Sequence, residues 1–164
     1  STQSGRRYVM GWFFKAKRII FCRLDNLEQV LEPRDLPDYD KFLAQAEEME
    51  RHLWGVSMNA PFADGRSNLD HVELVVRVGE DEPYILQCLE REKRCGKVRE
   101  LAEGRYQFTA DVRDAGEMLP WLRTFIGRIE SFTCSNKKIE ERFWQDLEAV
   151  YAMYGLGKAG GGHE

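Results

Sequence analysis

No part of this 164-residue sequence approaches the ~18 consecutive apolar residues of a membrane span, and its start lacks the apolar core and cleavage site of a secretory signal. The cytoplasm is the expected location, and no membrane partner is expected. Cysteine is sparse. Cys22, Cys88, Cys95 and Cys134 show no Cys-x-x-Cys spacing, and three of them sit among apolar neighbours, where a thiol behaves as a small hydrophobe. They read as structural thiols, so no metal and no cofactor is expected. Catalytic signatures are missing as well. Neither a phosphate-binding Gly-Lys-Ser/Thr nor a His-Glu-x-x-His pattern occurs, and no Ser or Cys is placed by motif for nucleophilic attack. His52 falls on a predicted helix near Met49 and Leu53, and His71 adjoins Asp70. The acidic pairs Glu47-Glu48 and Glu140-Glu141 read as solvated helix faces. These residues define no site, and the chain is not expected to be an enzyme.

What is present is enough for a core: 43% of residues are apolar and 12% aromatic. The net charge of −4 argues against a general nucleic-acid coat protein, but its distribution is uneven. Residues 1–24 hold Arg6, Arg7, Lys15, Lys17, Arg18 and Arg23 and no acid. A basic partner surface, if the chain has one, is expected at the front.

The front reads as strands. Arg7 to Phe13 is β-rich, Lys15-Ala16-Lys17-Arg18 breaks it, and Arg18 to Leu24 resumes an extended pattern, which predicts a hairpin. A third short run, Leu27 to Glu32, ends at Pro33, which has no amide hydrogen for a ladder. Asp38 or Asp40 can then cap a helix with Phe42, Ala46, Met49 and Leu53 on one face and Gly55 as its stop. The stretch from Asn59 to Asp70 carries Gly, Asn, Asp and Pro without periodicity. It places a linker at 58–71 between a first unit, 1–57, and a second, 72–155.

The second unit has a legible sequence of elements. Val72, Leu74, Val76 and Val78 alternate as a strand, Glu82-Pro83 opens a helix, and Gly96 closes it. Lys97 to Ala102 and Tyr106 to Val112 form a hairpin around Glu103-Gly104. Asp114-Ala115-Gly116-Glu117 resembles a capping box, and Gly127 stops the helix that follows. Pro120 within that helix either kinks it or delays its start. Arg128 to Cys134 is a last strand. Strand, helix, strand, strand, helix, strand is the order of a ferredoxin-like α+β fold. An extra C-terminal helix carries a stripe of Ile139, Phe143, Leu147, Val150 and Tyr154, with Trp144 and Tyr151 off it. Those two residues are candidates for a homodimer interface. A Gly-rich tail, 156–164, is expected to be flexible and contains His163.

Two motifs carry a family resemblance. The strand start Arg7-Tyr8-Val9, the basic turn and then Arg23-Leu24-Asp25-Asn26-Leu27 resemble the core of the WYL domain of bacterial transcription regulators. The second unit, with Trp121 to Ile126 before Gly127 and the ending Ala149-Val150-Tyr151-Ala152-Met153-Tyr154, is similar to the WCX extension that follows WYL. The resemblance implies a partial Sm-like or SH3-like barrel followed by a ferredoxin-like domain. It also implies ligand sensing that alters the DNA affinity of an attached helix-turn-helix domain, in a dimer. The ligand would be a nucleotide or single-stranded nucleic acid.

The candidate ligand residues are Tyr8, Lys15, Lys17, Arg18 and Arg23: cations for phosphates and an aromatic face for a base. Each also has a plainer reading. Tyr8 and Trp12 share one face of a strand, where aromatics usually form core. Arg23 is followed by Asp25 and can pair with it, and the Lys15 to Arg18 turn can be a solvated tip. Where the family's second motif carries three arginines, Ile20 to Leu27 keeps Arg23 alone. The alternative function is therefore an oligomerisation module whose barrel senses nothing.

Overall fold

A computed structural model describes residues 5–15, 18–31, 38–57 and 68–155. It is a mixed α+β structure with antiparallel sheets. Strands β1 (Tyr8–Phe13) and β2 (Arg18–Arg23) pair from Tyr8 opposite Arg23 to Phe13 opposite Arg18. They form a two-stranded ribbon that is not closed into a barrel. The third run expected after Leu27 adds no strand among the described residues. A 3-10 turn at Leu24–Asn26, closed by the Leu27 amide on the Leu24 carbonyl at 3.2 Å, ends β2, and Val30 and Leu31 lie exposed beyond it. Pro33 lies outside the described residues, as does most of the 58–71 linker.

Helix α1 (Tyr39–Glu50) starts after Asp38, whose φ of 65° is left-handed and whose side chain caps nothing. The helix stops short of Gly55. The amides of His52 and Leu53 bond back to the carbonyls of Met49 and Glu50 at 3.2 and 3.1 Å, the tightened pitch of a last turn.

The larger sheet is built from β3 (Asp70–Arg77), β4 (Lys97–Ala102), β5 (Arg105–Val112) and β6 (Ile129–Cys134) in the spatial order β4-β5-β3-β6, antiparallel throughout. Alternation puts Val72, Leu74 and Val76 of β3, Phe108, Ala110 and Val112 of β5, and Phe132 and Cys134 of β6 in one buried cluster. Helix α2 (Pro83–Glu92) adds Ile85 and Leu89, and α4 (Lys137–Met153) adds Phe143. Burying side chains of this size stabilises by roughly 1.5–3 kcal/mol each. The other face of the sheet is polar, with His71, Glu73, Arg99, Gln107 and Asp111 bonded across it.

Pro120 is accommodated by delay rather than a kink. A 3-10 turn at Ala115–Met118, whose Gly116 amide is capped by Asp114 at 2.9 Å, precedes a short α3 (Leu119–Leu122). Pro120 stands in its first turn, where no amide partner is lost. A further 3-10 turn, Arg123–Phe125, ends the segment before Gly127 at φ 87°. Strand β3 begins at Asp70, inside the stretch read as linker. Asp70 is buried and accepts the Ala115 amide at 2.9 Å, tying the strand's start to that turn.

The segment after α1 belongs physically to the larger sheet's core. Trp54 is buried among Phe108 and Trp121, with ring centroids 6.0 and 4.8 Å away. The Arg113 amide donates to the His52 carbonyl at 2.9 Å. His52 Nδ1 lies 2.8 Å from the Asp111 carbonyl, which only accepts, so that nitrogen carries the proton. Glu117, read as part of a capping box, instead takes the Val56 amide at 3.3 Å.

Candidate functional site

The ribbon's two faces differ. Tyr8, Met10 and Trp12 share one face with Ile19, Phe21 and Arg23, their partners across the register. At the tip end of this face Trp12 stacks on Phe42 of α1, centroids 4.3 Å apart and planes 22° from parallel, and Ile19 is buried. At the other end the face does not close. There Tyr8, Met10 and Phe21 meet the segment after α1 and the corner between α2 and β4 across a cleft of about 570 Å³. Leu53, Trp54 and Val56 extend its apolar wall. Its charged groups are Glu50, Arg51 and Arg94, with Cys95 beside them.

The candidate residues do not form one site. Tyr8 is half-buried and lines the cleft. Arg23, its cross-strand neighbour, is occupied: Nε donates to Asp25 at 3.1 Å and Nη2 to the other carboxylate oxygen. That bond raises the guanidinium's pKa and holds the Asp25 carboxyl below its usual range. Lys15 and Arg18 are exposed at the tip, about 17 Å from Tyr8 along the ribbon at strand spacing, beyond a physiological Debye length of about 8 Å. Lys17 lies outside the described residues. Trp144 and Tyr151 are exposed on α4, with Trp144 set edge-on to the buried Phe143 at 5.2 Å.

Among the cleft residues that went unread in the sequence are Arg51, Trp54 and Arg94. Arg94 donates through Nη1 to the Trp54 carbonyl, and its guanidinium stands 5.3 Å from that ring's centroid. The available signal was an arginine just past a helix end, immediately before Cys95-Gly96.

The remaining titratable groups hold structure. A second hollow, of about 530 Å³, lies at the end of the larger sheet near Arg77, Arg105 and Arg128. Each of these already holds a carboxylate: Glu130 takes Arg77 and Arg105 at 2.8 Å, and Glu82 takes Arg128. Burial pushes the Cys95 thiol up and the Cys134 thiol to about 11, so neither is a thiolate near neutrality. Among the described residues no group of three His, Cys, Asp or Glu side chains is gathered to hold a metal ion. No helix among them is long and apolar enough to cross a membrane.

His71 is set between Asp111 at 2.7 Å and Glu73 at 3.3 Å, and these hydrogen bonds, that to Asp111 foremost, raise its pKa. The protonated form therefore stabilises the fold below the ordinary value of about 6.5, and this contribution is lost as pH rises through the raised folded value. Because the imidazole is half-exposed, a few tenths of a kcal/mol is expected, up to about 1. Thermal melts should show a midpoint that falls as pH rises above the ordinary imidazole value of about 6.5 in the native chain and is flatter in His71→Gln. Equal slopes in the two would remove His71 as the cause.

Fold and cleft together define an α+β protein in which a basic ribbon and a helix-covered antiparallel sheet meet across an aromatic, arginine-bearing hollow. No protein-family model matches the chain, and no curated protein matches it.

Proposed function

We propose that the chain is the ligand-sensing and dimerisation region of a bacterial WYL-type transcription regulator. It binds a nucleotide or single-stranded nucleic acid, carries no catalytic role, and acts on DNA through an attached helix-turn-helix domain. The observation that carries this reading is the cleft beside Tyr8. It joins the ribbon to the larger sheet, so an occupant touches both and can couple them. The order β4-β5-β3-β6 with helices against one face supports a ferredoxin-like second unit, and the antiparallel ribbon with α1 stacked on one of its faces through Trp12 and Phe42 is compatible with part of an Sm-like barrel.

The test is a titration with single-stranded oligonucleotide at several salt concentrations. Affinity is expected to fall with a log-log slope of about −0.7 per phosphate neutralised, and Arg51→Ala should reduce the slope by about one such unit. Binding that is undetectable at low ionic strength, or indifferent to salt, overturns nucleic-acid sensing.

The Arg23–Asp25 pair and the exposure of Trp144 and Tyr151 favour a second reading, an oligomerisation module with a ribbon that senses nothing. Under that reading the chain sediments as a dimer without ligand, and Trp144→Glu with Tyr151→Glu makes it a monomer. A wild-type monomer at tens of micromolar excludes it.

A further inference from the structure

Arg94 stands where its residue type is costly. Helix α2 ends at Glu92, Lys93 keeps a right-handed helical backbone, and Arg94 then takes φ +46°. Helices that end through a left-handed residue usually do so with glycine, because a Cβ is penalised there. The nearby Gly96 serves another contact, since a Cβ on it would fall 2.1 Å from the Phe108 ring. The arginine contributes what glycine cannot: a guanidinium over Trp54 and on its carbonyl oxygen, at the rim of the cleft. One of its five N–H donors is so used, and among the described residues the others have no hydrogen-bond partner.

The surroundings set what those donors can meet. Tyr8, Met10, Phe21, Leu53 and Val56 offer an apolar, partly aromatic wall. The lining carries two guanidiniums, Arg51 and Arg94, and one carboxylate, Glu50; Arg51 is paired with Glu48 at 3.2 Å, which leaves Arg94 as the lining cation with no carboxylate partner among the described residues. The hollow of about 570 Å³ falls within the range of small-molecule sites, roughly 300–1,000 Å³. A strand would need a row of cations continuing along its path; beyond the exposed Arg6 and Arg7 next to Tyr8, Arg23 is held by Asp25, and Lys15 and Arg18 lie at the far end of the ribbon.

We infer that the cleft takes a small aromatic molecule bearing one negative charge, selected by Arg94. This rests on the reading of the cleft as the sensing site, and it narrows the occupant from a nucleic-acid strand to a single acid-bearing ring system. The ring lies against Tyr8, Met10 and Phe21, and the acid group meets the outward nitrogens of Arg94.

The probe is 8-anilinonaphthalene-1-sulfonate, an apolar aromatic body with one sulfonate, compared with its uncharged relative N-phenyl-1-naphthylamine on the full chain. The sulfonate is expected to bind saturably, one per chain, and about tenfold or more tighter than the neutral dye. Arg94→Gly should lose about tenfold in sulfonate affinity. Its thermal midpoint should hold within a few degrees, because relief of the left-handed backbone offsets the lost bond to Trp54. Met10→Trp, which fills the hollow, should abolish binding. Equal affinity for the two dyes, or undiminished sulfonate binding by Arg94→Gly, overturns the assignment. So does displacement of the dye by an oligonucleotide more strongly than by the same concentration of its monomer, an outcome that leaves nucleic-acid sensing standing. Dye binding as expected, with no salt-dependent oligonucleotide binding, would keep this inference and remove the nucleic-acid reading instead.

Discussion

Trp54→Ala is expected to lower the unfolding free energy by about 3–5 kcal/mol, a large share of the 5–15 kcal/mol that holds an ordinary domain together. Trp54 is 3% exposed and sits at the meeting of Phe108 and Trp121, which in turn contacts Phe125 edge-on at 5.0 Å. Removing the indole leaves a void lined by rings that cannot collapse into it without breaking their own contacts. The same reasoning applies to truncation. A chain starting at Asn68 loses Trp54 together with the His52 carbonyl that the Arg113 amide needs. It should melt well below a chain starting at residue 50, in which both are kept. Denaturant titrations of the variant and of the two truncated chains check this. Equal stability of the two truncated chains would mean that Trp54 is a passenger on the core.

Gly96→Ala should cost about 3 kcal/mol, the upper end of the usual range for overpacking. An added Cβ would fall 2.1 and 2.3 Å from two carbons of the Phe108 ring and 3.1 Å from the Lys93 carbonyl oxygen. Phe108 is wholly buried and fixed by Trp54 and Trp121, so it has no free side to move to. Shortening the ring should relieve the clash. Gly96→Ala combined with Phe108→Leu is expected to be more stable than the sum of the two single losses predicts, as read by a double-mutant cycle. Simple additivity would place the cost of Gly96→Ala elsewhere, in the backbone alone.

The parts of the fold that the sequence made legible are those whose cause is local. Alternation at Val72, Leu74 and Val76, and again at Phe108, Ala110 and Val112, reports a strand with one buried face wherever that strand goes. Pro83 and Asp114 mark starts because they act on the amides next to them. What escaped was decided at a distance. Trp54 follows α1 in sequence and by position falls in the first unit with the ribbon, yet its partners are 54 and 67 residues further along. Nothing in its neighbours announces them. The run after Leu27 is apolar enough for a strand, but a strand needs a partner edge, and the turn at Leu24–Asn26 leads it away from one.

The site was legible in part for the same reason. Strand parity puts Tyr8 on one face with Trp12 but does not say whether that face is core or site, whereas Arg23 and Asp25 can be paired because they are two residues apart. Charge counting draws attention to Lys15 and Arg18, but counting gives no position, and those residues lie at the end of the ribbon opposite the cleft. Arg94 became visible only through its backbone, since an arginine in a left-handed conformation is a property of φ and not of composition.

The spatial order of the larger sheet has a consequence for how the chain comes off the ribosome. β3 is an inner strand and the first of its sheet to be made, yet its two neighbours are β5 and β6, and the side chain of Phe143 that helps seal the core arrives later still. Val72, Leu74 and Val76 therefore wait without their neighbouring strands for on the order of several seconds at ordinary elongation rates. Exposed apolar surface and unpaired strand edges are what chaperones bind and what makes nascent chains aggregate. Substitutions that slow pairing of β6 should raise the insoluble fraction during synthesis more than they lower the stability of molecules already folded.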